Sequence, residues 1–333
     1  GFFQGTPIMY PINGNMAYIP YFMVYDPNLK PQNTKSYELG ADLTFLNGLV
    51  SLNYTYSRQN VKDQIFEVPL AGSTGASSMM MNGGKMHSNV HEITLGISPV
   101  DTKNFKLDFA FNFSKIDNYV DELAPGVESI MLGGFVTPQV RAGIGDKFPV
   151  YGVGYKRDGE GRIVVNEKGI PEAGETQVIG KVSPDFRLGF NTNIELYKFR
   201  LAAVFDWKQG GQMYSGTAGE TNFYGTSKLS GEVRKSDKYH FDYAAVEQKG
   251  VDADGKPIYV PYTGGVKGSD AEEYFKSVRG IDEAYVYDNS FLKLRELSLS
   301  YPVYKKDNLN VNVNVFARNI IVWSEIKGFD PEA

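Results

Sequence analysis

Two of the chain's three histidines stand close together, in MHSNVHE, with His87, His91 and Glu92. Four-residue histidine spacing can grip zinc when both rings leave one face of a helix. Here the residues enter a strand, where positions i and i+4 share a face but stand about 13 Å apart, too far for one ion. His240 is remote from both. Gly152 to Tyr155 read GVGY, a lone glycine pair. A dinucleotide site also needs a third glycine, a strand before it and a helix after. No GxSxG occurs, so the usual nucleophile elbow is missing. Without cysteine there is neither a disulfide framework nor a thiolate metal site. No catalytic group, metal-ligand set or cofactor is therefore expected. What remains for recognition is aromatic: Tyr151, Tyr155, Tyr214, Phe223, Tyr224 and Tyr262 lie in long connecting stretches. Ring faces beside polar amides suit a sugar or a peptide, while loops packed by their own rings are the competing use. Tyr151, Tyr155, Phe223 and Tyr224 are the candidate substrate contacts.

The elements that position these loops alternate with period two, the mark of strands. In SYELGADLTFL, Tyr37, Leu39, Ala41, Leu43 and Phe45 share one face; Glu38, Gly40, Asp42 and Thr44 share the other. LVSLNYTYS, EITLGI, FKLDFAFNFS, DFRLGFNTNIEL, FRLAAVFDWK and LSLSY repeat the pattern. So does DNLNVNVNVFARN, where Val311, Val313 and Val315 alternate with Asn310, Asn312 and Asn314. The polar faces carry Glu38, Asp42, Glu92, Asp108, Arg187, Glu195, Arg200 and Asp206. These strands read as about nine to twelve residues, whereas soluble strands are commonest at about five or six. A tilted strand needs about nine to eleven to cross a bilayer.

Connections alternate too. Leu46-Asn47-Gly48, Pro99 to Asn104, Tyr197-Lys198 and Tyr304 to Asn308 are short. Gln59 to Lys85, Asn118 to Pro184 and Gly210 to Ala284 are long. Structureless loops beyond about fifteen residues are rare in soluble domains. Short turns on one side and long loops on the other are the habit of outer-membrane barrels. The valines would then face lipid and the asparagines a wet or plugged lumen. A soluble sandwich, with valines in a core and asparagines in water, is the alternative that alternation alone leaves open.

Composition agrees with either. No run of eighteen apolar residues writes a membrane helix. Mean hydropathy is −0.31, which suits a soluble protein or a barrel whose strands are half polar. A net charge of −5 argues against a nucleic-acid partner, which needs a basic face. The N-terminus shows neither an initiator methionine nor a signal-peptide pattern. The chain is expected to begin after processing or inside a longer protein.

Specific stretches resemble the barrel of SusC/RagA-type TonB-dependent outer-membrane transporters. DPNLKPQNTKSYELGADLTFLNGLVSLNYTYS is similar to a family segment reading N-P-x-L-k-P-E-x-t, then s-Y-E-l-G-x-D, a short turn and a second strand; Pro27, Leu29, Pro31, Tyr37, Glu38, Gly40 and Asp42 match, and Gln32 replaces Glu. FPVYGVGYKRDGEGRIVVNEKGIPE, IGKVSPDFRLGFNTNIELYKFRLAAVFDWKQGGQMYSGT, YVYDNSFLKLRELSLSYPV and ARNIIVWSEIKGFDPE follow in family order. Val90 replaces a usual glycine before Glu92, and Lys293 stands where arginine is usual.

The resemblance implies an all-β fold: a partial transmembrane antiparallel barrel, residues 1–333, belonging to a closure of about 22 strands. The plug domain and the TonB box would lie outside this chain. It implies import of a large nutrient, most often an oligosaccharide, through the outer membrane of a Gram-negative, Bacteroidetes-like cell. Partners would be a SusD-like surface lipoprotein and the TonB energy-coupling complex. Peptide, siderophore or cobalamin import within the same superfamily is the alternative, and a soluble secreted glycan-binding β protein is the rival from another class. An open sheet with two unpaired edges is expected, since eight strands closing alone would bury the charged faces in a narrow lumen.

Overall fold

A computed structural model of the chain describes residues 5–12, 15–20, 23–145, 147–306, 309–326 and 329–332. Eight long strands dominate it: β1 (Asn33–Phe45), β2 (Val50–Pro69), β3 (Ser78–Asp101), β4 (Phe105–Leu123), β5 (Phe186–Leu196), β6 (Phe199–Gln209), β7 (Phe291–Lys306) and β8 (Leu309–Ser324). Each pairs antiparallel with the next in chain order, so the sheet is one long meander. Met23–Tyr25 adds a short strand parallel to the start of β3. β1 and β8 end the order at opposite edges and do not pair with each other. This is the unclosed sheet that the strand count and charged faces anticipate. A sandwich would divide these strands between two facing sheets; here all eight share one.

The tight turns follow from their residues. Asn47 takes the left-handed region at φ 55° and ψ 35°, which a short polar side chain tolerates, and Gly48 follows at φ 94°. Tyr197 and Lys198 alone join β5 to β6. Asp307 and Asn308, between β7 and β8, lie outside the described residues. The two described turns share one end of the sheet.

The other end departs from expectation. Gln59 to Lys85 is mostly strand: β2 and β3 continue pairing as far as Pro69 opposite Ser78, leaving a connection of residues 70–77. The long strands accordingly run from 11 to 24 residues. Backbone hydrogen bonds sustain a ladder where neither face is uniformly apolar, so alternation fades before the strand does. Asn118 to Pro184 holds a four-stranded sheet built from Ser129–Gly134, Gln139–Gly143, Pro149–Tyr155 and Ala173–Lys181. Gly210 to Ala284 holds helices α1 (Gly216–Phe223), α2 (Lys228–Lys235) and α3 (Ala271–Val278). Ser215 and Ser227 cap α1 and α2, accepting the Ala218 and Ser230 N–H groups at 3.2 and 3.0 Å. Val233, Val266, Tyr274, Phe275 and Tyr285 pack into a buried core among these helices. The long connections are thus a folded layer, not slack chain.

Candidate functional site

Opposed residues in an antiparallel ladder share a face of the sheet, so the register assigns the faces. Glu38 and Asp42 oppose Ser57 and Asn53. Asn53 and Thr55 oppose Thr94 and Glu92, and Glu92 opposes Ser114. Ser114 opposes Arg187, and Asp108 opposes Asn193, two residues from Glu195. Arg187 opposes Lys208, two residues from Asp206, and Glu195 opposes Arg200. Arg200 opposes Ser300, which opposes Asn314. All eight charged positions singled out by alternation therefore lie on one face of one sheet, with Asn312 and Asn314 beside them.

The opposite face is aromatic and aliphatic. Phe190 stands 5.9, 4.8 and 5.8 Å between ring centroids from Phe109, Phe111 and Phe205, making a row of rings across β4, β5 and β6. Val313 and Val315 continue this face opposite Tyr301 and Leu299.

On the polar face, several charges are paired. Arg200 bonds Glu195 at 2.5 Å. Arg295, at a bulge in β7, reaches Asp206 at 2.5 Å and Glu332 at 2.6 Å. Lys293, only 3% exposed, holds Asp330 and Glu332, both at 2.6 Å. The Asp330-Pro331-Glu332 segment thus folds back onto β7, with the Lys293 ammonium between its two carboxylates.

His87 and His91 go separate ways. His87 Nδ1 lies 2.7 Å from Asp121 and His91 Nδ1 lies 3.0 Å from the Tyr54 hydroxyl. Each ring is one element of the ladder.

The folded layer encloses an open cavity of about 780 Å³ lined by Phe135, Tyr214, Glu220, Phe223, Arg279 and Tyr285, among others. The Arg279 guanidinium lies 4.6 Å from the Phe223 ring centroid and bonds Glu220 at 2.6 Å. Phe223 therefore lines the cavity with Arg279 over its ring. Tyr224, exposed at the end of α1, lines an adjoining cavity of about 390 Å³ with Phe223, Arg234 and Phe275. The structure thus brings Phe223 and Tyr224 together, but not with the other two candidates. Tyr151 is half-buried in the ladder of Pro149–Tyr155, opposite Gln139 and Val178. Tyr155 packs against Tyr243, and its N–H donates to Glu283 at 2.8 Å. Neither lines these two cavities.

Asp282 anchors that strand to the layer by accepting the Val153 N–H at 2.8 Å. Burial pushes the phenols of Tyr155 and Tyr274 well above the usual range and that of Tyr285 to about 12. They stay protonated at neutral pH, so they offer hydroxyls and ring faces rather than acid–base chemistry. Phe223 stands out in the sequence as an aromatic of a long loop, whereas Arg279, Glu220 and Phe135 do not. No local motif marks them; only the packing of α1 on α3 and the 135–138 turn brings them together.

No family model matches the chain. TonB-dependent receptor P3 of Formosa agariphila is 24% identical over 339 residues, 92% of this chain and 31% of its own. TonB-dependent receptor SusC of Bacteroides thetaiotaomicron is 21% identical, covering 97% of this chain and 33% of its own. A solved structure of the RagAB peptide transporter superposes with a TM-score of 0.68 at 18% identity, over 99% of this chain and 36% of that one. These likenesses agree with the register. The chain has the fold of a segment of the RagAB barrel and is similar in sequence to TonB-dependent receptors. It spans about a third of the relatives it matches. Those relatives are named as receptors, and the solved structure as a transporter.

Proposed function

We propose that this SusC/RagA-type segment belongs to an importer that carries a large nutrient through the outer membrane without changing it chemically. The observation that carries the reading is the segregation of faces. One continuous meander puts every singled-out charge on one side and a row of phenylalanines on the other. In lipid, only a closed sheet leaves no backbone group unpaired. The unpaired edges of β1 and β8 would then be completed by further strands. The polar face lines the lumen, and the folded layer at the long-loop end faces outside.

The nutrient proposed is an oligosaccharide, captured at the cavity of Phe135, Tyr214 and Phe223, where rings can stack on sugars and Glu220 and Arg279 can meet hydroxyls. A peptide is the second reading, favoured by the likeness to a peptide transporter. A SusD-like lipoprotein covers the long-loop end, where Phe135, Val136, Ile144 and Tyr224 are exposed. TonB coupling acts through parts of the protein beyond this chain.

Removing the protein from its host and feeding matched panels of oligosaccharides and oligopeptides tests this. Loss of growth on oligosaccharides alone supports the first reading, and loss on peptides alone supports the second. Unchanged uptake of both overturns the importer.

A further inference from the structure

The polar face of the sheet sets two cations against each other at one place. Arg187 on β5 and Lys208 on β6 are directly opposed in the ladder, on the same face. Like charges in that relation repel. Lys208 is only 8% exposed, and a buried cation without a partner is costly. Among the described residues neither makes an ion pair. The nearby carboxylates are already committed. Asp206 and Glu332 hold Arg295, and Asp330 holds Lys293. Asp185 is paired with Lys181, and Asp288 accepts from the Ser290 N–H at 2.8 Å. The neighbouring cations Lys181, Arg200, Lys293 and Arg295 each have a carboxylate. Only the opposed pair lacks one.

The surroundings suit an incoming anion. Arg187 is exposed and lines an open cavity of about 410 Å³ with Ser114, Ile116, Asn118, Ser183 and Phe186, among others, while Lys208 stands next to that lining, opposite Arg187 in the ladder. Ser114 opposes Arg187 from β4 as Lys208 does from β6. A guanidinium fork in the open, an ammonium sunk beside it, and hydroxyl and amide groups nearby are the donors a carboxylate needs.

We infer that Arg187 and Lys208 form an anion-holding subsite on the polar face, one that takes a carboxylate group carried by the transported molecule. The subsite rests on the reading of that face as the lumen. An occupying carboxylate offsets the repulsion across the ladder and supplies the buried ammonium with its missing partner. It also makes the importer selective for acidic over neutral cargo.

The test uses the full-length transporter in detergent and glutarate as the probe, with its diamide as the neutral control. Binding is measured by calorimetric titration. Glutarate should bind and the diamide should not. Lys208→Met and Arg187→Gln should each weaken glutarate by about tenfold or more, the usual worth of a charge-assisted hydrogen bond. Arg187→Lys should recover part of the loss. Equal affinity in wild type and both charge-removing variants overturns the subsite. So does the finding that a carboxylate from elsewhere in the full-length protein already sits within hydrogen-bond distance of Lys208 Nζ, with glutarate unable to bind. Heat-modifiable gel mobility read on the same samples separates the two claims. A detergent-requiring barrel that ignores glutarate loses only the subsite, whereas a protein soluble without detergent loses the lumen reading itself.

Discussion

Phe111 and Asn112 are neighbours in β4 that point to opposite faces, and they give the sharpest test of the membrane assignment. Phe111 is opposed by Leu95 and Phe190, with its ring 4.8 Å from that of Phe190. Asn112 is opposed by Thr94 and Gly189, and its Oδ1 accepts the Thr94 hydroxyl at 3.1 Å. Both lie about 14 Å above the tight-turn end, taking about 3.3 Å per residue and a tilt of about 45°. That is close to the middle of an apolar band about 25 Å tall. Lysine at Phe111 places a cation in hydrocarbon, costing about 2–4 kcal/mol. It also removes an aromatic pair worth about 0.5–1.5 kcal/mol, so the total is about 3–5 kcal/mol. Lysine at Asn112 loses one hydrogen bond of about 0.5–1.5 kcal/mol and keeps its charge in a polar space. The two variants should therefore differ by about 2–4 kcal/mol at the same depth. Reversible denaturant unfolding of the intact barrel in lipid vesicles measures both. Equal destabilisation, or greater damage at Asn112, would refute the assignment of faces.

Three further outcomes are expected. Alanine at Phe223 or Tyr224 should reduce uptake of the cargo while leaving the yield of folded barrel unchanged, and normal transport by both places the contacts elsewhere. Alanine at Gly152 would put a methyl group 2.6 Å from Ile179 Cδ1 and 2.9 Å from Asp282 Cβ. The overpacking should cost the folded layer about 1–3 kcal/mol and raise its protease sensitivity without loosening β1 to β8. Glu332, held down to about 2 chiefly by the Arg295 guanidinium and also by Lys293 against the opposing effect of burial, should tie its segment down above its ordinary pKa of 4.5 and release it as pH falls towards 2. Amide exchange across 329–332, corrected for intrinsic rates, should rise over that window in the wild type and rise less in Glu332→Gln, where only Asp330 still releases its hold on Lys293.

The strands and their faces were legible because a sheet whose two faces meet different surroundings imposes the same rule at every second residue. Phe105 to Phe113 and Val311 to Val315 could not alternate so strictly unless each face met one medium, and the register then carries Glu38 to Asp206 onto a common side without exception. Where that rule lapses, the sequence stops speaking. Residues 59–69 and 78–85 extend β2 and β3 with no clean alternation, and a reader of hydrophobic period takes them for loop. The cavity was less legible still, for a different reason. Phe223 and Tyr224 sit on one short helix and were found as neighbours. Arg279 joins them only because α3 packs on α1, 56 positions away in the chain, a contact fixed by buried Tyr274, Phe275 and Tyr285 rather than by any local pattern. The same holds for Lys293. Its departure from the usual arginine looks minor in the sequence, yet its ammonium is the point where Asp330 and Glu332 fold back upon β7. Chemistry built by strand alternation can be read one residue at a time. Chemistry built by loops returning onto the sheet cannot, because its residues share a neighbourhood only after the core beneath them has formed.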